Sequence, residues 1–297
     1  MEAYSVLMAV YAKERPEYLR QAVESMLHQT VPPEEFVLVC DGPLTAELEA
    51  VIEELVCRSP GLFHILRLPE NRGLGNALNA GLAHCRNELV ARMDSDDLAL
   101  PERMQWQLAR MGGDAGLSVL GGQIAEFEES PRFITAYRFV PEAPEEIRAY
   151  LRHRSPMNHT TVLMRRSHVL QVGGYRPVPG YEDYFLWAKL LRSGFRLENL
   201  DRVCCAVRTG ETMYLRRGGW RYFCNALRLN AFLWKLGLIS PVDGLCNAGL
   251  RFVQALLLPP SLRRRFFLRF LRKNVHNVPR QETYQGMLPV TGRYFKL

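Results

Sequence analysis

The chain has 297 residues, 47% of them hydrophobic, with a formal net charge of +7, which suits one large domain or one domain with an appendage and leaves ample material for a core. No apolar run reaches the length of a membrane-spanning helix, and Met1-Glu2-Ala3-Tyr4 leads straight into a strand-like run rather than a signal peptide. The seven cysteines show no Cys-x-x-Cys spacing, which argues against a disulfide framework or a zinc module and for reduced thiols in the cytosol.

Tyr4–Tyr11 is a near-continuous apolar run, as expected of a parallel strand buried on both faces. Pro16 suits the first turn of a helix, and Leu19, Ala22, Val23, Met26 and Leu27 follow at core-facing helical spacing. Phe36–Cys40 reads as a second strand ending at Asp41-Gly42-Pro43. A second helix carries Leu48, Val51, Ile52, Leu55 and Val56 at the same spacing, and Phe63–Leu68 is a third strand. The turn Asn71-Arg72-Gly73-Leu74-Gly75 leads into a helix over Asn76–His84, and Leu89–Met93 is a fourth strand. The alternation predicts an α/β fold with a Rossmann-like, mostly parallel sheet and right-handed crossovers.

In open sheets of this kind ligands bind beyond the carboxyl ends of the strands. Asp41, the Asn71–Gly75 turn and Asp94-Ser95-Asp96-Asp97 all fall there. Three carboxylates within four residues repel one another unless a cation or strong donors lie among them. Magnesium or manganese held by such oxygens commonly also holds phosphate oxygens. Alone, the acidic run reads first as a turn capping the helix that Pro101 helps to open, and Asp41 before Gly42-Pro43 as a plain turn former. Gly73-x-Gly75 is not a dinucleotide fingerprint, because the close-packing glycine position is Leu78. Arg72 is either a solvated charge or a charge-assisted donor to a diphosphate.

A helix is expected from Pro101 to about Met111, then short strands over Ser118–Gly121 and Gln123–Phe127, with Phe133–Val140 pairing antiparallel. Glu145–Leu151 reads as a short helix, Thr160–Met164 as a strand, and the adjacent Cys204 and Cys205 as part of a buried strand. His159, just before Thr160, could touch a sugar or phosphate, or be satisfied by backbone. Tyr181-Glu182-Asp183 opens an apolar helix over Phe185–Leu191. Acids there complement the helix dipole, and they could also serve as a general base on a rigid support.

The ordered set Ser5–Tyr11, Gln29-Thr30, Asp41-Gly42, Asn71-Arg72-Gly73-Leu74, Asp94-Ser95-Asp96-Asp97, Gly173-Gly174-Tyr175 and Glu182-Asp183 resembles the family 2 glycosyltransferases, over roughly residues 4–220. Lys13-Glu14, Asp41-Gly42-Pro43 and Met213–Gly218 resemble the subgroup that builds bacterial surface-polysaccharide repeat units on a lipid carrier. The resemblance implies a GT-A fold with an antiparallel acceptor-side region and an inverting transfer. It implies a UDP-sugar (UDP-galactose or UDP-glucose) held by Ala9, Tyr11, Asp41, Asn71, Arg72, Gly73, Asn76, Asp94, Ser95, Arg216 and Arg217. Asp96 would ligate Mn2+ or Mg2+, Asp183 would be the general base with Glu182 beside it, and His159 and Tyr181 would face the acceptor. The processive members' Gln-x-x-Arg-Trp is absent, so one sugar is expected per transfer. The implied division is a catalytic domain over 1–217, split near residue 100 into nucleotide-sugar and acceptor halves, and a helical basic extension over 218–297.

Residues 202–297 hold 17 Lys and Arg against 3 Asp and Glu, a net of +14, while residues 1–201 hold 21 against 28, a net of −7. Ser261–Lys273 places Leu262, Phe266, Phe267, Phe270 and Leu271 towards one side of a helix, with Arg264, Arg265, Arg269, Arg272 and Lys273 mostly elsewhere. Such a helix can lie on an anionic membrane or pack on the catalytic domain with its arginines solvated. The expectation is an enzyme peripheral to the inner face of the cell membrane, with a lipid-diphosphate-linked saccharide as acceptor. A nucleic-acid partner is not expected, since the tail lacks a recognition motif and the acidic body repels phosphate. An inactive sugar- or lipid-binding scaffold is the competing class, and Asp96 and Asp183 argue against it.

Overall fold

The computed structural model describes residues 2–210, 218–259 and 262, with three two-residue strands beyond them. Strands β1 (Tyr4–Val10), β2 (Glu35–Cys40), β3 (Phe63–Arg67) and β4 (Leu89–Asp94) alternate with helices α1 (Pro16–Leu27), α2 (Ala46–Arg58) and α3 (Leu74–His84). All four strands are parallel, in the order β3-β2-β1-β4. The chain first steps outward from β1 and then returns to its other side, so β1 and β4 flank the switch point. Ala9 stands opposite Asp94 across it.

The apolar runs serve two cores because successive strand residues face opposite ways. Leu7, Val37, Val39 and Val90 face α3, whereas Val6, Met8, Phe36 and Leu38 face α1 and α2. Each fully buried aliphatic side chain contributes about 1.5–3 kcal/mol, so the sheet's centre is fixed by burial from both sides. Gly81 lets α3 approach this closely, since a Cβ there would lie 2.4 Å from Leu7 Cδ1 and 2.6 Å from Val39 Cγ2.

Beyond β4 come β5 (Leu98–Ala99), α4 (Arg103–Gly112), β6 (Leu117–Phe127), β7 (Ile134–Arg138), α5 (Pro144–Leu151), β8 (Leu163–Arg165), α6 (Arg166–Gln171), α7 (Glu182–Arg192) and β9 (Arg196–Arg208). Antiparallel β8 extends the sheet from β4 to β6 and β7, and β9 runs parallel to β6. The two strands expected around Gly122 are one, whose register against β9 shifts between Gly122 and Ile124. The strand expected over Thr160–Met164 is shorter. His159–Thr161 form a 3-10 turn, because both the Thr161 N–H (2.9 Å) and its hydroxyl (2.7 Å) donate to the Asn158 carbonyl. Gln29 ties the end of α1 to the segment after the acidic run, donating to Leu100 O (2.8 Å) and accepting from Met104 N (3.0 Å).

Helices α8 (Trp220–Lys235) and α9 (Pro241–Phe252) follow. Ala226, Leu229 and Leu233 of α8, with Ile239, join the core formed by α3 and α7. No described helix is long and apolar enough to cross a membrane. Most of the basic amphipathic segment expected over 261–273 lies outside the described residues, as do Arg216 and Arg217.

Candidate active site

The carboxyl ends of β1, β2 and β4 and the start of α3 gather most of the expected donor-side residues. Asp41 is buried and its carboxylate accepts the N–H groups of Arg72 (2.8 Å) and Gly73 (3.0 Å), while Asn71 Nδ2 donates to its carbonyl (3.1 Å). Asn76 Nδ2 closes the turn onto Arg72 O at 2.8 Å. Asp41 thus shapes the turn with the oxygens expected to face a nucleotide. Gly42 lies in the left-handed region (φ 87°), and a Cβ there would meet Asn71 N at 2.6 Å, so only glycine permits this contact between the two loops. The Arg72 side chain is exposed and pairs with Glu70 (3.2 Å). Tyr11 is also exposed, at the end of β1.

At the end of β4 the three aspartates have different surroundings. Asp94 shares a strand face with Arg92 two residues earlier and makes a bidentate ion pair with it, one of the contacts being 2.6 Å. The Arg92 side chain is 1% exposed and its charge is kept by Asp94. Asp97 is fully buried and accepts from Arg208 N (3.0 Å) and the Thr160 hydroxyl; burial first, then the charges of Asp96 and Asp94, push its carboxyl well above the usual carboxylate range. Asp96 sits between these two, and its pKa is pushed up to about 7 by burial first, then by the charges of Asp94 and Glu14. Glu14 reaches the same place from the loop after β1, accepting from the Ser95 hydroxyl at 2.7 Å.

This donor set fits a hard cation that brings its own partners. Among the described residues no three His, Cys, Asp or Glu side chains form a closed cage. Asp96 is a carboxylate whose ionisation its surroundings oppose, which is what an added positive charge would relieve. Magnesium-like ions often take one or two carboxylates and complete their shell from phosphates and water.

Glu182 and Asp183 open α7, where helix N–H groups favour negative charge. Ser155 Oγ donates to Asp183 Oδ2 at 3.0 Å. Glu182 packs on the donor side: a Cβ at Gly75 would lie 3.2 Å from both Glu182 Cγ and Pro177 Cα. Burial raises the Glu182 pKa to about 7, with a smaller contribution from Asp183. The Tyr175 hydroxyl lies within electrostatic reach of both Asp183 and Asp94. Asn79 of α3 fixes Tyr175 through both amide atoms, accepting from Tyr175 N (2.7 Å) and donating to Tyr175 O (2.8 Å).

The two residues expected to face the acceptor, His159 and Tyr181, both have partners within the protein. His159 Nε2 is 3.0 Å from the Tyr175 hydroxyl and its ring packs on Trp187; burial and the Arg92 charge hold it neutral. It supports Tyr175 from behind. The Tyr181 ring is buried against Tyr222 of α8 and lines a small pocket with His153, Tyr184 and Arg251. Sequence reasoning passed over Arg92, Asn79, Ser155 and Tyr175 as site residues. Arg92 had a visible signal, a lone cation inside a buried strand two positions before an aspartate.

The family model for glycosyl transferase family 2 matches residues 5–173, more than half of the chain. The chain belongs to that family. The transferase is 41% identical over 270 residues to an uncharacterised glycosyltransferase of Haemophilus influenzae, covering 91% of this chain and 99% of that one. It is 37% identical to the amylovoran biosynthesis glycosyltransferase AmsE of Erwinia amylovora (84% and 91% covered). It is 34% identical to the UDP-Gal:alpha-D-GlcNAc-diphosphoundecaprenol beta-1,3-galactosyltransferase of Escherichia coli (91% and 97%). Among solved structures it resembles the Pyrobaculum calidifontis mannosyltransferase PcManGT in complex with GDP-Man and Mn2+ (TM-score 0.60, 16% identity, 89% and 79% covered). It also resembles S. aureus TarS 1–349 in complex with UDP-GlcNAc (TM-score 0.62, 18% identity, 90% and 76%). The transferase has the GT-A fold.

Proposed function

We propose that this transferase moves one hexose, with inversion, from a UDP-sugar to a lipid-diphosphate-linked saccharide in surface-polysaccharide assembly. The observation that carries the reading is that two carboxylate groups come within electrostatic reach of one tyrosine, Tyr175: Asp94, at the head of the Asp94–Asp97 run at the sheet's switch point, and Asp183, beside Glu182 at the head of α7. The 34%-identical diphosphoundecaprenol galactosyltransferase, covered over almost its full length, supports the lipid-linked acceptor and makes UDP-galactose the first donor to test, ahead of UDP-glucose.

In this reading Ala9, Tyr11 and the Asp41-supported turn of Asn71, Arg72, Gly73 and Asn76 bind the nucleotide, and Arg92 aims Asp94 at the ribose or sugar. Asp96 would hold Mn2+ or Mg2+, whose charge, when bound, offsets the negative charge gathering on the leaving diphosphate. Asp183, oriented by Ser155, takes the proton of an acceptor hydroxyl. That oxygen forms the new bond at the anomeric carbon while the carbon–oxygen bond to UDP breaks, its electron pair leaving with UDP. No covalent enzyme intermediate is needed. A second assignment makes Glu182 the base, favoured by its pKa of about 7, which suits a base working at neutral pH. The acceptor's lipid places the reaction at the inner face of the cell membrane, where the basic tail meets anionic lipid.

Calorimetric titration of UDP with Mn2+ or Mg2+, then with EDTA, tests the donor site. Transfer of radiolabelled galactose or glucose to a diphospholipid-linked saccharide tests the reaction. Absence of UDP binding under both metal conditions would reject the reading.

A further inference from the structure

Helix α9 is inverted relative to the usual arrangement of a helix on a protein in water. Its polar side faces the protein. Asp243 accepts from Arg152 Nη2 at 2.7 Å, Asn247 Nδ2 donates to Arg152 O at 2.7 Å, and Arg251 lines a small pocket with Tyr181 and Tyr184. Its other side carries Val242, Leu245 and Phe252, and the exposed apolar residues continue with Val253 and Leu257. None of the helix's residues is buried, and Val242 and Leu245 are 70% and 76% exposed. A helix whose apolar stripe turns outward has a second apolar medium to meet.

Helix α8 supplies the rest of the surface. Gly219 N–H donates to Ala255 O (2.9 Å) and Asn230 Nδ2 to Gly244 O (3.3 Å), so α8 and α9 form an antiparallel hairpin. Ala226, Leu229 and Leu233 turn to the core. Trp220, Leu227 and Trp234 recur at heptad spacing and share one outward stripe, with the two tryptophans 65% and 58% exposed. Arg221, Arg228 and Lys235 each stand one residue later and run as a parallel basic row. The Trp220–Phe223 and Phe223–Phe252 ring contacts, both 5.7 Å, join the apolar stripes of the two helices. Helix α8 carries no acidic residue, and the one acid of α9, Asp243, is neutralised by Arg152.

We propose that the outward face of the α8–α9 hairpin is a docking surface for an anionic lipid bilayer. Trp220, Leu227, Trp234, Val242 and Leu245 enter the boundary between headgroups and acyl chains, and Arg221, Arg228 and Lys235 meet lipid phosphates. The basic row selects this occupant over a second copy of the chain, which would bring a like-charged row to the same contact. The surface is separate from the 261–273 segment, and its assignment stands whether or not the donor site binds UDP.

The test is sedimentation of the full-length chain with phosphatidylcholine vesicles, with and without phosphatidylglycerol, in the absence of nucleotide and metal. Binding that requires phosphatidylglycerol, and a loss of about tenfold or more in V242E/L245E, are expected from removing two apolar side chains from the bilayer. Brominated phosphatidylglycerol should quench a fluorescence component that W220F/W234F lacks. Both glutamates replace exposed side chains, so the fold is spared, and an unchanged thermal midpoint verifies it. No vesicle binding by the wild-type chain would overturn the proposal. Undiminished binding by V242E/L245E would also overturn it, assigning attachment to residues 260–297. So would a solution dimer that V242E/L245E dissolves, because a second copy would then cover the face. Vesicle binding that V242E/L245E loses, without any UDP binding, would support this surface while rejecting the proposed donor site.

Discussion

Replacing Asp96 by asparagine is expected to stabilise the ligand-free transferase and to remove its metal-dependent UDP binding. Asp96 has a folded pKa of about 7 against an ordinary 3.8, because it is buried beside Asp94 and Glu14. Protonation therefore favours the folded state. The contribution of Asp96 is full below the unfolded value near pH 4 and is lost as pH rises through 7. Raising the pKa from 3.8 to about 7 corresponds to ~4 kcal/mol between the two protonation states, with about 2 kcal/mol already lost near pH 5. Screening at the mouth of the cleft is expected to halve these values, leaving about 2 kcal/mol above pH 7. Asparagine keeps the shape and carries no charge, so D96N should unfold roughly 4 °C higher than the parent near pH 8, and the gain should shrink towards pH 5. The assay is thermal unfolding by circular dichroism in EDTA across that pH range, paired with UDP titration in Mn2+. A midpoint at pH 8 equal to or below the parent's, or a gain independent of pH, would refute the electrostatic reasoning.

Asp183→Asn should reduce transfer by three orders of magnitude or more while leaving UDP-sugar affinity within about threefold, since general-base catalysis supplies about 10²–10⁴ in rate and the positioning of a charged base adds to it; unchanged turnover would move the base to Glu182. Arg92→Met should cost about 3 kcal/mol in urea unfolding, because it strands Asp94 beside an apolar strand, and it should weaken UDP-sugar binding. Arg92→Lys should recover stability only in part, because a lysine cannot reproduce the bidentate pair. Gly42→Ala should weaken UDP binding and cost about 1–3 kcal/mol, since the added methyl meets Asn71 N at 2.6 Å; wild-type stability in that variant would show that the two loops are free to separate.

The parallel half of the sheet was legible because β1, β2 and β4 are buried on both faces and so read as unbroken apolar runs. The Asp94–Asp97 and Glu182–Asp183 positions were legible because charges at strand ends and helix starts stand out against those runs. The length of β9 was not. Glu198, Asn199, Asp201 and Arg202 break its apolar alternation, and it is held by pairing to β6, a partner far away in sequence. The strand β8 was expected to begin too early, because the Thr161 hydroxyl binds a neighbouring carbonyl and diverts the backbone into a turn before Leu163. Nothing local marks Asn79 within its helix, and only the fold brings Tyr175 to both of its amide atoms. The roles of Gly42 and Gly75 are likewise set by loops remote in sequence, which no local pattern records.

Helix α3 touches both the Asp41 loop and the 174–183 segment: its first turn hangs from Asp41, Gly75 seats Glu182, and Asn79 grips Tyr175. This constrains how relatives can exchange donor and acceptor preferences by recombination. A crossover near residue 100 separates α3 from the 174–183 segment that was fitted to it, and chimeras cut there should assemble both halves of the sheet yet misalign the two carboxylate groups. Productive exchange would have to carry residues 71–84 and 174–183 together, so the unit of inheritance for this cleft is discontinuous along the chain.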